Sequence, residues 1–453
     1  MPTILGANTL SSGGFQVDNS VRFNGVDSPA LKRDSMGTAS NRKKFTLSMW
    51  MKRSTIDQRM FASFDGANSY FQFQSGGQLE INDVPGSSFN YRFVTNAVYK
   101  DVTAWMHVVV AFDSTQSTNT NRLKLFVNGV EPSLGTATYP DQNFTPDANS
   151  TGSHKYGSYD DSADYAFNGY FAEIVFIDGT AYAPTDFGEF DEDSGIWKPI
   201  DPSGLTFGTN GHYLDFKASG NLGNDANGGT DFDENNIVAA DQATDTCTNN
   251  FCTMNSLIPT TNATFSEGNC KLAIGGSSIQ GAGIGTFGLT TGKWYWEVKL
   301  LADKDNHTHG VISELTAELN ANVTAIQNDV GVTSWINGDG GEVVVDGSAS
   351  TADYGIMAEN SIMGIALDLD NFKITYLDDN SALVSNFNLS AERGTIFPLI
   401  KMGINCTAEV NFGGCSAFAV SSANSDADGH GNFEHAPPSG YFAICSKNLA
   451  EYG

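Results

Sequence analysis

Lys293-Trp294-Tyr295-Trp296-Glu297-Val298-Lys299-Leu300-Leu301 alternates without a slip. Trp294, Trp296, Val298 and Leu300 fall on one side of an extended chain, and Lys293, Tyr295, Glu297 and Lys299 on the other. Period-two alternation marks a strand with one buried and one wetted face. Two tryptophans two positions apart make a large apolar anchor on the buried side. Gly292 and the Thr290-Thr291 pair ahead of it supply a turn. The stretch predicts a β-sandwich in the C-terminal half.

Its neighbours obey the same rule. Ile362–Asp370 (IMGIALDLD), a turn at Asp370-Asn371 and Phe372–Leu377 (FKITYL) read as a hairpin. Asp329–Ile336, Gly341–Val345, Phe397–Lys401 and Thr407–Phe412 are further strand candidates. Glu314–Asp329 differs, spacing Leu315, Leu319, Val323 and Ile326 at about helical period. That insertion is expected to be a helix, packed on the sandwich or at a subunit contact.

The N-terminal half is also built of strands. Phe45–Arg53 puts Phe45, Leu47, Met49 and Met51 on one face, and Ser48, Trp50 and Lys52 on the other. Short aromatic strands follow at Met60–Phe64 and Tyr70–Phe73, and then strands at Leu79–Asn82 and Tyr91–Val94. Trp105–Phe112 (WMHVVVAF) is nearly all apolar, as a central strand buried on both faces would be. Arg122–Val127 runs into Asn128-Gly129, a hairpin signal because both residues tolerate positive φ. Asp141–Asp164 is polar and is expected to be an exposed loop, after which Tyr165–Asp178 returns to strand.

Composition agrees: 48 Gly against 13 Pro, with 11% aromatic residues, suits short strands and tight turns over helix bundles. The expected class is all-β, two antiparallel β-sandwich (jelly-roll) domains in tandem. Residues 1–20 would be an N-terminal arm, 21–200 the first sandwich, 201–255 a flexible linker and 256–453 the second sandwich. There is no run of about 18 apolar residues, so no membrane insertion is expected. The opening MPTILGANTLSSGG lacks the basic and apolar regions of a signal peptide.

The net charge is −28, with 15 basic and 22 acidic side chains in residues 1–200 and 9 against 30 in the rest. That balance disfavours nucleic acid as a partner. Lys32, Arg33, Arg42, Lys43, Lys44, Lys52, Arg53 and Arg59 form the exception, either a solvated face or a docking surface for an acidic capsid or tail neighbour or for anionic glycans. The six cysteines all lie beyond residue 246; free thiols are the default, and sequence leaves pairing of Cys406 with Cys415 open.

No constellation carries clear reaction chemistry, and no catalytic residue is assigned. Glu189-Phe190-Asp191-Glu192-Asp193 is the best hydrolase candidate, because glycosidases set two carboxylates about 5 Å apart. Ser194 stands where a third carboxylate would be, and the segment reads better as a solvated acidic turn. His307-x-His309 would share one face of a strand as a metal pair or pH-sensitive contact, but its polar surroundings favour an exposed loop. Cys247-x4-Cys252 lacks a second pair, and Gly220–Thr230 lacks the full spacing of a calcium loop.

FTLSMWMKRS, WMHVVVAF, RLKLFVNGVE and FNGYFAEIVFIDGTAYAPTDFGE, in that order, resemble the laminin-G-like, concanavalin-type jelly roll over about residues 15–195. Ala172 replaces the first member of the family's acidic pair and leaves Glu173, so no cofactor is expected and calcium alone stays open. GKWYWEV, DVGV, IMGIALDLDNFKITYL, FPLI and AEVNFG resemble the SPRY domain over about residues 256–445. The tandem, with His435–Phe442 (HAPPSGYF) near its end, looks like fibre, spike or head-decoration proteins of marine tailed bacteriophages.

That resemblance implies a non-enzymatic virion protein, made in the bacterial host cytoplasm and carried on the particle. Its partners would be other capsid or tail proteins and host-surface glycans, with a homo-oligomer, a trimer foremost, as the assembly. Alternatives are an architectural subunit without ligand and a polysaccharide-degrading spike. Aromatic faces stack on sugars while polar side chains fix their orientation. Tyr156, Tyr159, Asp160, Asp161 and Asp164 are the expected ligand-binding residues, chosen for loop exposure and chemistry.

Overall fold

The computed structural model describes residues 14–66, 68–158, 165–258, 262–275, 280–301, 307–313, 331–338, 340–390 and 394–453. The protein is nearly all-β, with 43% of residues in strands and 6% helical. It divides into two compact bodies between Thr248 and Asn249. Among the described residues each body holds two large sheets.

The N-terminal body has a seven-stranded sheet ordered Gln242–Ala243, Ser20–Phe23, Gly169–Asp178, Lys44–Arg53, Met106–Asp113 and Leu123–Val127, with His212–Leu214 also paired to Gly169–Asp178. Its eight-stranded sheet runs Leu134–Thr138, Tyr91–Val98, Gln78–Asp83, Ser69–Phe73, Arg59–Phe64, His154–Tyr156, Ala30–Arg33 and Asp233–Asn235. As the alternation requires, Phe45, Leu47, Met49 and Met51 join Phe71, Phe73, Leu79, Ile81 and Phe93 in one core. Phe45 stacks on Phe112 and Phe176, at 5.1 and 5.7 Å between ring centroids.

Two expectations change here. Part of the expected loop is the strand His154–Tyr156, buried between Arg59–Phe64 and Ala30–Arg33, because His154 and Tyr156 point inward despite their polar neighbours. Asn128-Gly129 does make a tight turn at φ 48° and 76°. The strand after it, however, crosses to the other sheet and pairs with Tyr91–Val98.

The stretch read as a linker supplies strands to both sheets. Asp245 carries it into the interior: Lys52 Nζ lies 2.7 Å from its Oδ2, and Trp105 Nε1 donates to its Oδ1 at 2.9 Å. Arg22 reaches Asp241 at 2.8 Å. The Gly220–Thr230 run is ordered by carboxylates that accept backbone bonds, Asp225 from Tyr213 and Asp231 from Asp225, both at 2.9 Å.

In the C-terminal body the eight-stranded sheet contains, in order, Ala263–Ser266, Lys271–Ile274, Thr407–Asn411, Lys293–Leu300, Ile362–Asp368, Lys373–Asp378 and Ser381–Asn388, with Phe442–Ala443 parallel to Lys293–Leu300. The six-stranded sheet contains Gly281–Ile284, Ile396–Met402, His307–Ser313, Val332–Ile336, Glu342–Val345 and Ser348–Ala349. Trp294, Trp296, Val298 and Leu300 face the core with Trp335, Ile365 and Ile400.

The opposite face of this strand is not wet. Tyr295 and Glu297 are fully buried, and Tyr295 clusters with Phe251, Phe433, Ala443 and Cys445. Glu297 fastens the covering segment by accepting the backbone N–H of Glu434 at 3.0 Å and of His435 at 2.7 Å. His307 and His309 are also fully buried, opposite Met402 and Ile400, instead of in an exposed loop. The polar flanks concealed a strand that enters the core. Burial pushes His309 well below the ordinary imidazole pKa.

All six cysteines are free and buried, Cys406 and Cys415 included. The insertion at 314–329 lies outside the described residues. Among the described residues no helix is long and apolar enough to cross a membrane. None of their His, Cys, Asp and Glu side chains group in threes or more to hold a metal ion.

Candidate functional site on a sheet face

The eight-stranded sheet of the N-terminal body sends Phe71 and Phe73, Leu79 and Ile81, and Tyr91 and Phe93 into the core. Strand geometry therefore turns the residues between them to the other face: Tyr70 and Gln72, Glu80 and Asn82, Arg92 and Val94. Register lines them up. Lys155, Ser63, Tyr70, Asn82 and Arg92 are successive cross-strand partners, and so are Met60, Gln72, Glu80 and Val94 in the next row. At about 4.8 Å per strand, Tyr70 and Arg92 stand about 10 Å apart.

Glu80 organises this face. Its Oε2 accepts from Gln72 at 2.9 Å and Gln74 at 2.7 Å; its Oε1 accepts from Arg92 Nε at 2.6 Å and Asn82 at 3.3 Å. Gln58 extends the net to Gln72 at 2.9 Å. Burial works to raise the Glu80 pKa, but the bonds from Arg92, Gln74 and Gln72 outweigh it and hold the carboxyl below its usual range. Bonds to an ionised acceptor are the stronger kind. The Arg92 guanidinium lies 4.6 Å above the Phe89 ring, and Phe89 is 38% exposed.

The result is a hydrogen-bonded net in which Gln72, Glu80 and Asn82 are buried, and Tyr70, Gln74, Arg92 and Phe89 are the members that solvent reaches. Glu80 is ionised with both oxygens occupied, so it has no proton to give and no free lone pair at the centre. The arrangement suits recognition of a polyhydroxylated molecule better than bond cleavage.

The residues expected to bind ligand fare differently. Tyr156 is fully buried, its hydroxyl 2.7 Å from His212 Nε2 and its ring against Phe232, so no ligand can stack on it. Tyr159, Asp160, Asp161 and Asp164 lie outside the described residues. The acidic run sits on an exposed hairpin, where Lys198 approaches Glu189 at 3.4 Å and Asp191 at 3.1 Å. The Ser194 N–H and hydroxyl, with Lys198, hold Asp191 at about 2. The basic cluster is not one surface: Lys52 and Arg53 are buried, Lys44 pairs with Asp113, and Arg59 pairs with Asp57. Burial pushes Arg53 down to about 10.

One further pairing resembles a nucleophile and its base. Ser48 Oγ lies 2.8 Å from His107 Nε2. Trp197 Nε1–H donates to His107 Nδ1 at 3.0 Å, so Nδ1 is the acceptor and Nε2 bears the proton. Burial keeps this imidazole neutral, its pKa pushed down to about 3. His107 therefore has no lone pair to take the Ser48 proton, and the pair is structural. Nearby on the same outer face, Glu173 occupies a register shift at φ 51°, accepts the Tyr213 hydroxyl, and is pushed up to about 8 by burial.

Sequence reasoning missed Tyr70, Gln74, Glu80 and Arg92. The signal was present as polar residues alternating with apolar ones in three successive strands.

Solved structures with similar folds include the SPRY domain of human HERC1 (12% identity over 37% of this chain and 99% of that one, TM-score 0.30). Others are the PSpry domain of TRIM65 (14%, 35% and 91%, TM-score 0.31) and a putative carbohydrate binding protein from Bacteroides ovatus (14%, 49% and 60%, TM-score 0.36). No curated protein sequence matches the chain. Residues 24–183 match the sequence profile of the concanavalin A-like lectin/glucanases superfamily, and the N-terminal body has that lectin-like jelly-roll fold.

Proposed function

We propose that this chain is a non-enzymatic binding subunit that attaches to glycans through the outer face of its eight-stranded sheet. One observation carries the reading: the buried Glu80 carboxylate holds Gln72, Gln74, Asn82 and Arg92 in a fixed cross-strand array beside Tyr70 and Phe89. A surface organised before its ligand arrives loses less side-chain entropy on binding.

The display setting rests on the resemblance of the tandem to phage fibre, spike and decoration proteins. In this reading the subunit is a homotrimer on a virion, its partners being capsid or tail proteins. A glycan array probed with the wild-type chain, Tyr70→Ala, Gln74→Ala and Tyr159→Ala tests the binding function. The wild type should retain a defined set of glycans, and the first two variants should lose at least tenfold in affinity. Retention of no glycan by the wild type would favour an architectural subunit instead. Light scattering reads the assembly, with three copies per particle expected.

A further inference from the structure

Arg92 has a use on this face beyond holding Glu80. Its Nε–H is committed to Glu80 at 2.6 Å, and its plane rests on Phe89 at 4.6 Å. Among the described residues its two terminal nitrogens have no partner, although the side chain is 32% exposed. The guanidinium is thus held by one edge and one face, leaving the far edge as a planar fork for two parallel acceptors. Such a fork matches a carboxylate in geometry and charge.

In a chain of net charge −28 the local attraction for an anion is that of the Arg92 fork itself. Lys155 and Lys32 share its cross-strand row but stand four and five strands from Arg92, about 19 and 24 Å away, and Lys32 pairs with Asp34 at 3.1 Å, so neither adds to the charge at the fork. Glu80, the acidic group nearest Arg92, is buried at 1% exposure and already shares its charge among four donors. Between Arg92 and Tyr70, Asn82 Oδ1 is buried and has no hydrogen-bond partner. The interval of about 10 Å suits roughly two sugar rings, given the strand spacing.

Resting on the glycan-binding reading above, we infer that the recognised glycan carries a carboxylated sugar, a uronic or sialic acid. The Arg92 fork receives the carboxylate, and the neighbouring ring lies toward Tyr70.

Titration calorimetry on the full chain with two matched pairs tests this: polygalacturonate against its methyl ester, and sialyllactose against lactose. At least one acidic member should bind tenfold or more tighter than its neutral partner. Arg92→Gln should abolish that preference. Arg92→Lys, which keeps the charge but loses the fork, should retain only a small part of it. Equal binding within both pairs, a preference that survives Arg92→Gln, or stronger binding of dextran sulfate than of either acid would overturn the inference while leaving glycan binding in place. Failure of every glycan to bind, or binding indifferent to Tyr70→Ala, would instead remove the underlying reading.

Discussion

Each body buries a glutamate on the outer face of a sheet, and the two are held in contrasting ways. Glu297, in the C-terminal body, accepts from Tyr295, Asn411 and the backbone of Glu434 and His435. Glu173, in the N-terminal body, accepts from the Tyr213 hydroxyl alone among the described residues. Burial raises both carboxyls; Glu173 reaches about 8, while hydrogen bonds oppose the rise at Glu297. The difference follows from how each covering segment is fastened. Glu297 is itself the fastener, whereas in the N-terminal body the ion pairs Lys52–Asp245 and Arg22–Asp241 do that work. A carboxyl relieved of an anchoring role can remain neutral.

The largest effect should come from breaking the N-terminal fastener. Lys52→Met leaves Asp245 as an uncompensated buried charge and should cost about 3–5 kcal/mol, read in urea unfolding of the N-terminal body. Pairing it with Asp245→Leu should recover most of the loss. A double variant as unstable as the single would show that the pair is not the fastener.

Glu173 gives the next largest effect, as a pH dependence. Its folded pKa of about 8 lies above the ordinary 4.5. The neutral carboxyl's contribution to stability is therefore complete below pH 4.5, declines between 4.5 and 8, and is gone above that. Glu173→Gln should remove this slope and make the N-terminal body more stable than wild type at pH 9 by about 2–4 kcal/mol, using roughly 1.4 kcal/mol per pKa unit. Denaturation at pH 5, 7 and 9 checks it, and parallel curves for the two proteins would contradict it.

Glu297→Gln should cost about 1–3 kcal/mol, because an amide NH2 would face donors that now meet an oxygen. Hydrogen exchange at the Glu434 and His435 amides should quicken selectively, and uniform exchange would deny the anchoring role. Asp191→Asn should be the smallest perturbation. On its exposed hairpin it should change neither unfolding nor glycan retention measurably.

These contrasts show how far the sequence could be read. The period in Lys293–Leu300 correctly assigned Trp294 and Trp296 to the core, since alternation is local and needs no knowledge of neighbours. It gave Tyr295 and Glu297 to solvent, because nothing local announces a segment about 140 residues later lying over them. His154, Tyr156, His307 and His309 were misread for a related cause. Their polar flanks resemble loops, and only pairing between distant strands turned these side chains inward. At the candidate site Tyr70, Glu80 and Arg92 were visible as alternating polar positions, but their placement in two rows depends on register.

By itself, then, the sequence determined that this is an all-β protein with two sandwiches, and which side of its clearest strands faces each core, because both follow from short-range period. The tertiary structure decided which outer faces are covered, that residues 201–248 belong to the first body, and that Glu80 gathers its donors into one array. Those outcomes depend on contacts between residues distant in the chain, whose register and burial no local pattern encodes.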